Sequence, residues 1–317
     1  MDLSIIFVNW NSLAYLRECV PSIYQYTKDL SFEIIIVDNA SPEGRIEELQ
    51  QEFPGVRVIK SEVNLGFAGA NNLGFRQATG TYVLFLNPDT RLTGPSIHIM
   101  LDQLKSLPDA GIIGCKLLNG DSSIQLSCIQ TFPTILNQLL DIEYLQIKWP
   151  GCYLWNIAPL FSNDPRPAPV EVISGACMLI SSEVFKRAGM FSEEYFMYAE
   201  DLDLCYKMTR LGLHNYYVGQ AEIIHYGGAS SSQTKVNQWS TTMKLKAVQK
   251  FCTKMHGSFY GAMYRVMMGG AALGRLVTLT LLRPLGVSDS KKLAIRRASS
   301  KWNAVLRWSC GFDSARS

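Results

Sequence analysis

Asn87-Pro88-Asp89 follows the apolar run Tyr82 to Leu86 and sets two hard oxygen ligands two residues apart. On an extended backbone, positions i and i+2 face the same side. Pro88 fixes its own φ and keeps Asn87 extended. That arrangement suits a Mg2+ or Mn2+ ion bridging a diphosphate; the same tripeptide is also ordinary strand-to-turn chemistry. Asp38 closes a second apolar run. It reads either as an acceptor for a base N–H or a ribose hydroxyl, or as an Asx-turn or helix cap. Between Phe191 and Leu204, the carboxylates Glu193, Glu194, Glu200, Asp201 and Asp203 are interleaved with aromatic residues. Carboxylates against aromatic walls can have raised pKa values and serve as bases. The plainer reading is an acidic first helical turn, favoured by the helix dipole. His225 ends the run Ile223-Ile224-His225 just before Tyr226-Gly227-Gly228. It is either a metal ligand or a satisfied structural residue, and His98, His214 and His256 read as structural.

These residues need strands to carry them to a common edge. Leu3 to Val8 is a short β-branched run and reads as a buried strand. Asn9 to Ser12 is turn chemistry, and Leu13 to Tyr26 has apolar residues at helical spacing. The alternation continues with a strand at Phe32 to Val37, a helix at Ile46 to Glu52 and a strand at Val56 to Ile59. A Gly-rich loop then leads to a helix near Ala68 to Ala78 and a strand at Tyr82 to Leu86. Near-continuous apolar strands alternating with helices predict an α/β fold with a mostly parallel sheet, covered on both faces. Ligands of such sheets sit beyond the carboxyl ends of the strands. Asn9, Asp38-Asn39 and Asn87-Pro88-Asp89 should therefore meet at one edge.

Further along, Cys128 to Pro169 is rich in aromatic residues and proline and reads as an excursion able to cover a site. A strand at Ala176 to Ile180, a helix at Ser182 to Arg187 and a helix ending near Leu211-Gly212 follow. Asn215 to Val218 and Glu222 to His225 read as two short strands, and Gln238 to Met255 as a helix.

Composition narrows the class. The 317 residues suit one large α/β domain with an appendage. The net charge of +3 argues against a nucleic-acid binder. From Arg283 to Ser317, eight Lys or Arg face two Asp, so this tail is basic and points to an anionic partner such as a membrane surface. The eight cysteines form no C-x-x-C pair, which reads as reduced thiols in a cytoplasmic protein. Leu3 to Val8 is too short for a signal segment, and no uncharged stretch is long enough to span a bilayer. The glycines around Gly66 and Gly69 do not form G-x-G-x-x-G, and P-loop, G-x-S-x-G and H-E-x-x-H patterns are absent.

Six ordered blocks resemble the family 2 glycosyltransferases of the GT-A fold, in their rhamnosyltransferase-like branch. They are Val8-Asn9-Trp10-Asn11-Ser12, Ile36-Val37-Asp38-Asn39-Ala40-Ser41 and Asn64-Leu65-Gly66-Phe67-Ala68-Gly69-Ala70-Asn71-Asn72. Phe85-Leu86-Asn87-Pro88-Asp89-Thr90, Ser174 to Ile180 and Phe196 to Cys205 follow, and His225 completes the set. The resemblance implies a GT-A catalytic domain over 1–235 and a helical, basic extension over 236–317. It implies an inverting transfer from a nucleotide-diphosphate sugar to a hydroxyl of a cell-surface polysaccharide or lipid-linked glycan. Asp201 looks like the general base, with Glu200 beside it. Asp38 looks like the base-binding acid, and Asn64 lines the nucleotide and donor-sugar pocket, with Asn9 among the same binding positions. Asn87 and Asp89 look like the D-x-D-type site, with Asp89 and His225 on a divalent cation, Mg2+ or Mn2+. Many relatives carry more carboxylates there; the alternative assignment has Asn87 on the ribose and Asp89 alone on the cation.

The donor this implies is dTDP-rhamnose or a UDP-sugar. UDP-galactose, UDP-N-acetylglucosamine and GDP-mannose remain alternatives within the fold. A sugar nucleotidyltransferase would need a Gly- and Arg-rich loop after the first strand, where Asn9-Trp10-Asn11-Ser12 stands instead. A non-catalytic sugar-binding protein would not need Asp89, Asp201 and His225 together. Tyr264 to Pro284 is apolar but interrupted by arginines. It predicts an interfacial helix at the cytoplasmic face of the inner membrane, or a helix docked on the core.

Overall fold

The computed structural model describes residues 1–140, 145, 148–149, 166–227, 238–282 and 289–312. The chain divides into two compact units. The first takes Met1–Phe132, Gln146–Phe196 and Glu200–Ser230; the second takes Pro133–Leu145, Met197–Ala199 and Ser231–Ser317.

The first unit is built on one sheet. Strands β1 (Leu3–Asn9), β2 (Phe32–Asn39), β3 (Val56–Ser61) and β4 (Tyr82–Leu86) alternate with helices α1 (Leu13–Tyr26), α2 (Ile46–Glu52) and α3 (Gly66–Phe75). β5 (Thr90–Leu92), α4 (Ser96–Ser106) and β6 (Ala110–Leu118) follow. After β7 (Ile129–Gln130) and α5 (Ile135–Leu140) come β8 (Ala168–Val170), β9 (Val172–Ile173) and β10 (Cys177–Ser181). Helices α6 (Ser182–Arg187) and α7 (Glu200–Arg210) lead to β11 (His214–His225). The sheet order is β3-β2-β1-β4-β10-β6-β11-β5, with β8 also on β11; β7 and β9 pair separately.

β1 and β2 are parallel and in register from Leu3↔Phe32 to Asn9↔Asp38. β1 also runs parallel to β4, with Ile6 opposite Phe85. Their β-branched and aromatic side chains are buried on both faces, which is why they read as unbroken apolar runs. Shared direction and register deliver the three strand ends to one edge. The sheet is mixed: β10 runs antiparallel between β4 and β6, and β5 and β8 run antiparallel to β11.

Two sequence expectations change. Asn215–Val218 and Glu222–His225 belong to one strand, β11, whose pairing with β6 shifts register between Val218 and Glu222. The sequence sets two strands on either side of Gly219 to Ala221, yet the extra residues are absorbed as a bulge and the strand continues. The helix expected near Ala68–Ala78 starts earlier, at Gly66. Gly66 sits at φ +70°, and a side chain there would strike the Phe196 carbonyl.

The second unit is helical: α5, α8 (Gln238–His256), α9 (Ser258–Leu282) and α10 (Asp289–Ser309). Val248, Cys252, Tyr264, Met268, Trp302 and Trp308 pack as its core, with Ile135 and Leu139 of α5 against them. Gly257 joins α8 to α9 at φ +91°, the left-handed conformation that ends helices. Among the described residues no helix is long and apolar enough to cross a membrane. The seven described cysteines are free, and six of them are buried. Cys152, most of the 128–169 excursion, Gly228 and Arg283-Pro284 lie outside the described residues.

Candidate active site

The turns after β1 and β2 lie at one edge of the sheet, as the sequence predicts. Asn9 Nδ2 donates to Asp38 Oδ1 at 2.7 Å, and Asn9 Oδ1 accepts from Ser12 N at 3.1 Å. Both side chains are buried, so the pair is fixed before any ligand arrives. Asn11 and Ala40, next along each turn, have left-handed φ of +54° and +55°. Asparagine tolerates that conformation; for Ala40 it costs about 1–3 kcal/mol. Asn11 Oδ1 accepts from Ser41 Oγ (2.9 Å) and from Glu43 N (3.1 Å), which ties the two turns together.

Asn64 is exposed at the entrance to α3. Asn39 Nδ2 donates to Asn64 Oδ1 (3.0 Å) and to the Gly66 carbonyl (3.2 Å). Leu65 N in turn donates to Asn39 Oδ1 (2.7 Å). Asn39 thus sets the position of Asn64. The sequence placed Asn39 in the polar cluster without giving it this role.

At the end of β4, Asn87 and Asp89 converge on one histidine. Asn87 Nδ2 lies 3.3 Å from His225 Nε2, and Asp89 Oδ1 lies 3.3 Å from the same nitrogen. Antiparallel pairing of β5 with β11 brings them together, with Thr90 opposite His225. The other imidazole nitrogen, Nδ1, is 2.7 Å from Gln125 Oε1. Gln125 Nε2 donates to Asn119 Oδ1 (3.1 Å), which orients the amide and makes its oxygen the acceptor for Nδ1–H. In the neutral tautomer with the proton on Nδ1, Nε2 offers its lone pair beside the Asp89 carboxylate, an arrangement that a shared cation relieves. A divalent cation fits: neighbouring ligands at about 2.0–2.2 Å span such a separation. Among the described residues no group of three His, Cys, Asp or Glu side chains could hold a metal ion. Asp89 Oδ1 and His225 Nε2 are the pair that such a cation could share. Gln125 had no signal in the sequence, because it lies in an irregular segment 100 residues from its histidine.

Glu200 and Asp201 open α7. Tyr198 and Ala199, immediately before them, both have left-handed φ, +70° and +64°. Two successive non-glycine residues in that region cost about 1–3 kcal/mol each, a strain that often marks functional sites. Asp201 Oδ2 accepts from Gly175 N (3.1 Å), and Oδ1 accepts from Leu202 N (2.8 Å). The next peptide along, through Ala176 O, accepts from Asn87 N (2.9 Å), so the Gly175-Ala176 segment connects Asp201 to the end of β4. Asp201 is half-buried, whereas Glu200 is buried and its Oε2 has no hydrogen-bond partner. Burial, and secondly the charge of Asp201, push the Glu200 carboxyl well above the ordinary carboxylate range. Asp203 is a structural residue: it accepts from Ser192 Oγ (2.6 Å) and pairs with Lys207 (3.2 Å). Glu193 accepts from Asn72 Nδ2 (2.9 Å) and pairs with Arg76 (3.0 Å).

A polar strand edge, a carboxylate–imidazole pair and a separate half-buried carboxylate thus stand at the ends of these strands. Residues 4–187, more than half of the chain, match Glycosyl transferase family 2. The chain belongs to that family and is a glycosyltransferase. It is 26% identical over 281 residues to the N-acetylglucosaminyl-diphospho-decaprenol L-rhamnosyltransferase of Mycobacterium tuberculosis, covering 85% of this chain and 90% of the relative. It is 25% identical over 233 residues to the rhamnosyltransferase WbbL of Escherichia coli, covering 70% and 82%. These relatives put it in the rhamnosyltransferase-like branch. The fold is that of the mannosyltransferase PcManGT from Pyrobaculum calidifontis, solved with GDP-Man and Mn2+. The TM-score is 0.60 at 14% identity, over 98% of this chain and 86% of the other.

Proposed function

We propose that this glycosyltransferase moves rhamnose, with inversion, from dTDP-rhamnose to a hydroxyl of a lipid-linked glycan at the cytoplasmic face of the inner membrane. The relatives' names support the sugar and suggest an acceptor carrying N-acetylglucosamine on a polyprenyl diphosphate. The observation that carries the reading is that three polar groups stand at strand ends of one sheet: Asn9–Asp38 with Asn64 held by Asn39, Asp89 with His225, and Asp201 bonded to Gly175. In this reading Asp38 and Asn9 hold the base and ribose, and Asn64 and Asn87 line the donor. Asp89 and His225 hold Mg2+ or Mn2+, which when bound supplies Lewis-acid stabilisation of the diphosphate. Asp201 takes the acceptor hydroxyl proton while that oxygen bonds to the anomeric carbon and the bond to the diphosphate oxygen breaks. The nucleoside diphosphate leaves, and one displacement inverts the configuration. Glu200, buried beside the base with its carboxyl pushed above the ordinary range, is the alternative carboxylate at this position. The catalytic domain over 1–235 and the extension over 236–317 belong to the same proposal.

A donor panel tests it. dTDP-rhamnose, UDP-galactose, UDP-N-acetylglucosamine and GDP-mannose are offered with Mg2+ or Mn2+ and a polyprenyl-diphosphate N-acetylglucosamine acceptor. Release of dTDP, with the inverted anomer in the product, is the expected result. Release from a different donor would reassign the sugar, and a retained anomer would reject the single displacement.

A further inference from the structure

Charge is sharply segregated along this chain. From Gln238 to Ser317 there are 14 Lys or Arg against Asp289 and Asp313, a net +12, so the preceding 237 residues carry −9. Within this basic region, α9 has one exposed face without charge. Phe259, Met263, Val266, Leu273, Val277 and Leu281 recur every three or four residues, and all are exposed. Gly270 falls in the same line, with open space where a side chain would stand. The stripe runs about 33 Å along the helix. Contiguous apolar surface of this kind is uncommon on a protein that meets only water.

The two arginines that interrupt this helix in the sequence do not interrupt the stripe. Arg265 Nη2 donates to Trp308 O (2.8 Å) and its Nε to Ser309 O (3.2 Å), the orphan carbonyls at the end of α10. Arg275 Nη2 donates to Leu139 O (2.8 Å), and its guanidinium lies 4.1 Å from the centre of the Trp302 ring. Both charges are used inside the helical unit. The exposed cations stand on the other two long helices: Lys244, Lys250 and Lys254 on α8, and Arg296, Arg297, Lys301 and Arg307 on α10.

We propose that the α9 stripe docks on an anionic lipid bilayer. The helix lies in the boundary between headgroups and acyl chains, and the cations of α8 and α10 meet the lipid phosphates. Charge selects this occupant over a second copy of the chain. Pairing two copies through α9 would bring together two regions of +12, whereas an anionic leaflet attracts each of them. The inference deepens the proposed membrane location and rests on it, but it is independent of which sugar is transferred.

The test is flotation of the full chain with vesicles of phosphatidylcholine alone and of phosphatidylcholine mixed with phosphatidylglycerol. The chain should float with the anionic vesicles, stay behind with the neutral ones, and be released by high salt. Val266 and Val277 are 71% and 52% exposed, so Val266→Asp/Val277→Asp should leave the melting temperature and the transfer rate to a water-soluble acceptor unchanged. Its partitioning to anionic vesicles should fall about ten-fold or more. Arg296→Glu/Arg297→Glu should weaken binding in the same direction. Wild-type flotation by the valine variant, or equal binding to neutral and anionic vesicles, overturns the proposal. So does a dimer in sedimentation equilibrium that the valine substitutions disperse, which assigns the stripe to a second copy. Flotation as expected with no sugar transfer from any donor would leave the docking surface standing and reject the proposed function.

Discussion

Glu200 and Asp201 are adjacent in sequence and held in opposite environments. Glu200 is buried with an unpartnered oxygen, and Asp201 is half-buried between two N–H donors. Burial raises the Glu200 pKa, so the folded chain binds that proton more tightly than the unfolded chain does. The stabilisation this proton gives is complete below the ordinary value of 4.5 and is lost as pH climbs through the folded value. Glu200→Gln keeps the neutral shape at every pH. Its melting temperature should equal that of the wild type near pH 4.5 and exceed it increasingly at higher pH. A difference that stays flat across pH would mean that Glu200 folds ionised. The carboxylate–imidazole pair makes a second prediction. Asp89→Ala should remove most Mn2+-dependent binding of dTDP or UDP in calorimetric titration. Gln125→Leu, which frees His225 Nδ1, should weaken it about 10–100-fold. Wild-type affinity in both would place the cation elsewhere. The positions of Asp89, Asp201 and His225 at or beside the ends of regular elements were legible from the motifs that contain them. Gln125 and Asn39 were not, because their roles exist only once distant segments have folded together.

At the scale of elements, α3 holds the acidic loop in place. Phe67 N donates to Phe196 O (2.9 Å). Asn72 Nδ2 donates to Phe191 O (2.9 Å), and Asn72 Oδ1 accepts from Phe191 N (3.1 Å). This contact depends on Gly66, whose added Cβ would fall 2.1 Å from the Phe196 oxygen at a φ of +70°. Gly66→Ala should therefore cost at least about 2 kcal/mol of stability and lower transfer as the Phe196 to Asp201 loop shifts. Chemical denaturation beside a rate assay checks both, and a silent substitution would mean that the loop is not held this way. The alternating strands and helices up to Leu86 were legible from apolar runs and turn residues, and α1, α2, β4 and α6 have the expected bounds. β5, α4 and β6 had no reading, although Ile97, Met100, Leu101 and Leu104 follow helical spacing and Ala110–Leu118 is an apolar run. The antiparallel insertion of β10 was hidden too, since an apolar strand buried on both faces does not reveal its direction.

At the scale of the whole molecule, the helical unit is discontinuous in sequence. Pro133 to Leu140 belongs to it: Ile135 N donates to the Tyr260 hydroxyl (3.0 Å), and the Arg275 guanidinium donates to Leu139 O (2.8 Å). A chain cut after residue 235 loses these partners and leaves Ile135 and Leu139 without their core. It should aggregate more readily than the full chain in light scattering, and equal solubility would show that α5 does not depend on those helices. The sequence marked the basic extension but not this early contribution, because six residues of helix carry little periodic signal. The central claim is that this transferase uses Asp201 as its base, and the rate of Asp201→Asn at saturating donor tests it most directly. Asparagine keeps the size, but its single amide oxygen can accept from only one of Gly175 N–H and Leu202 N–H, and it cannot take a proton. Transfer should fall about 10²–10⁴-fold, with nucleotide affinity close to wild type and stability lowered by no more than the one lost hydrogen bond, about 1–3 kcal/mol. A folded Asp201→Asn enzyme that turns over at nearly the wild-type rate would contradict the account.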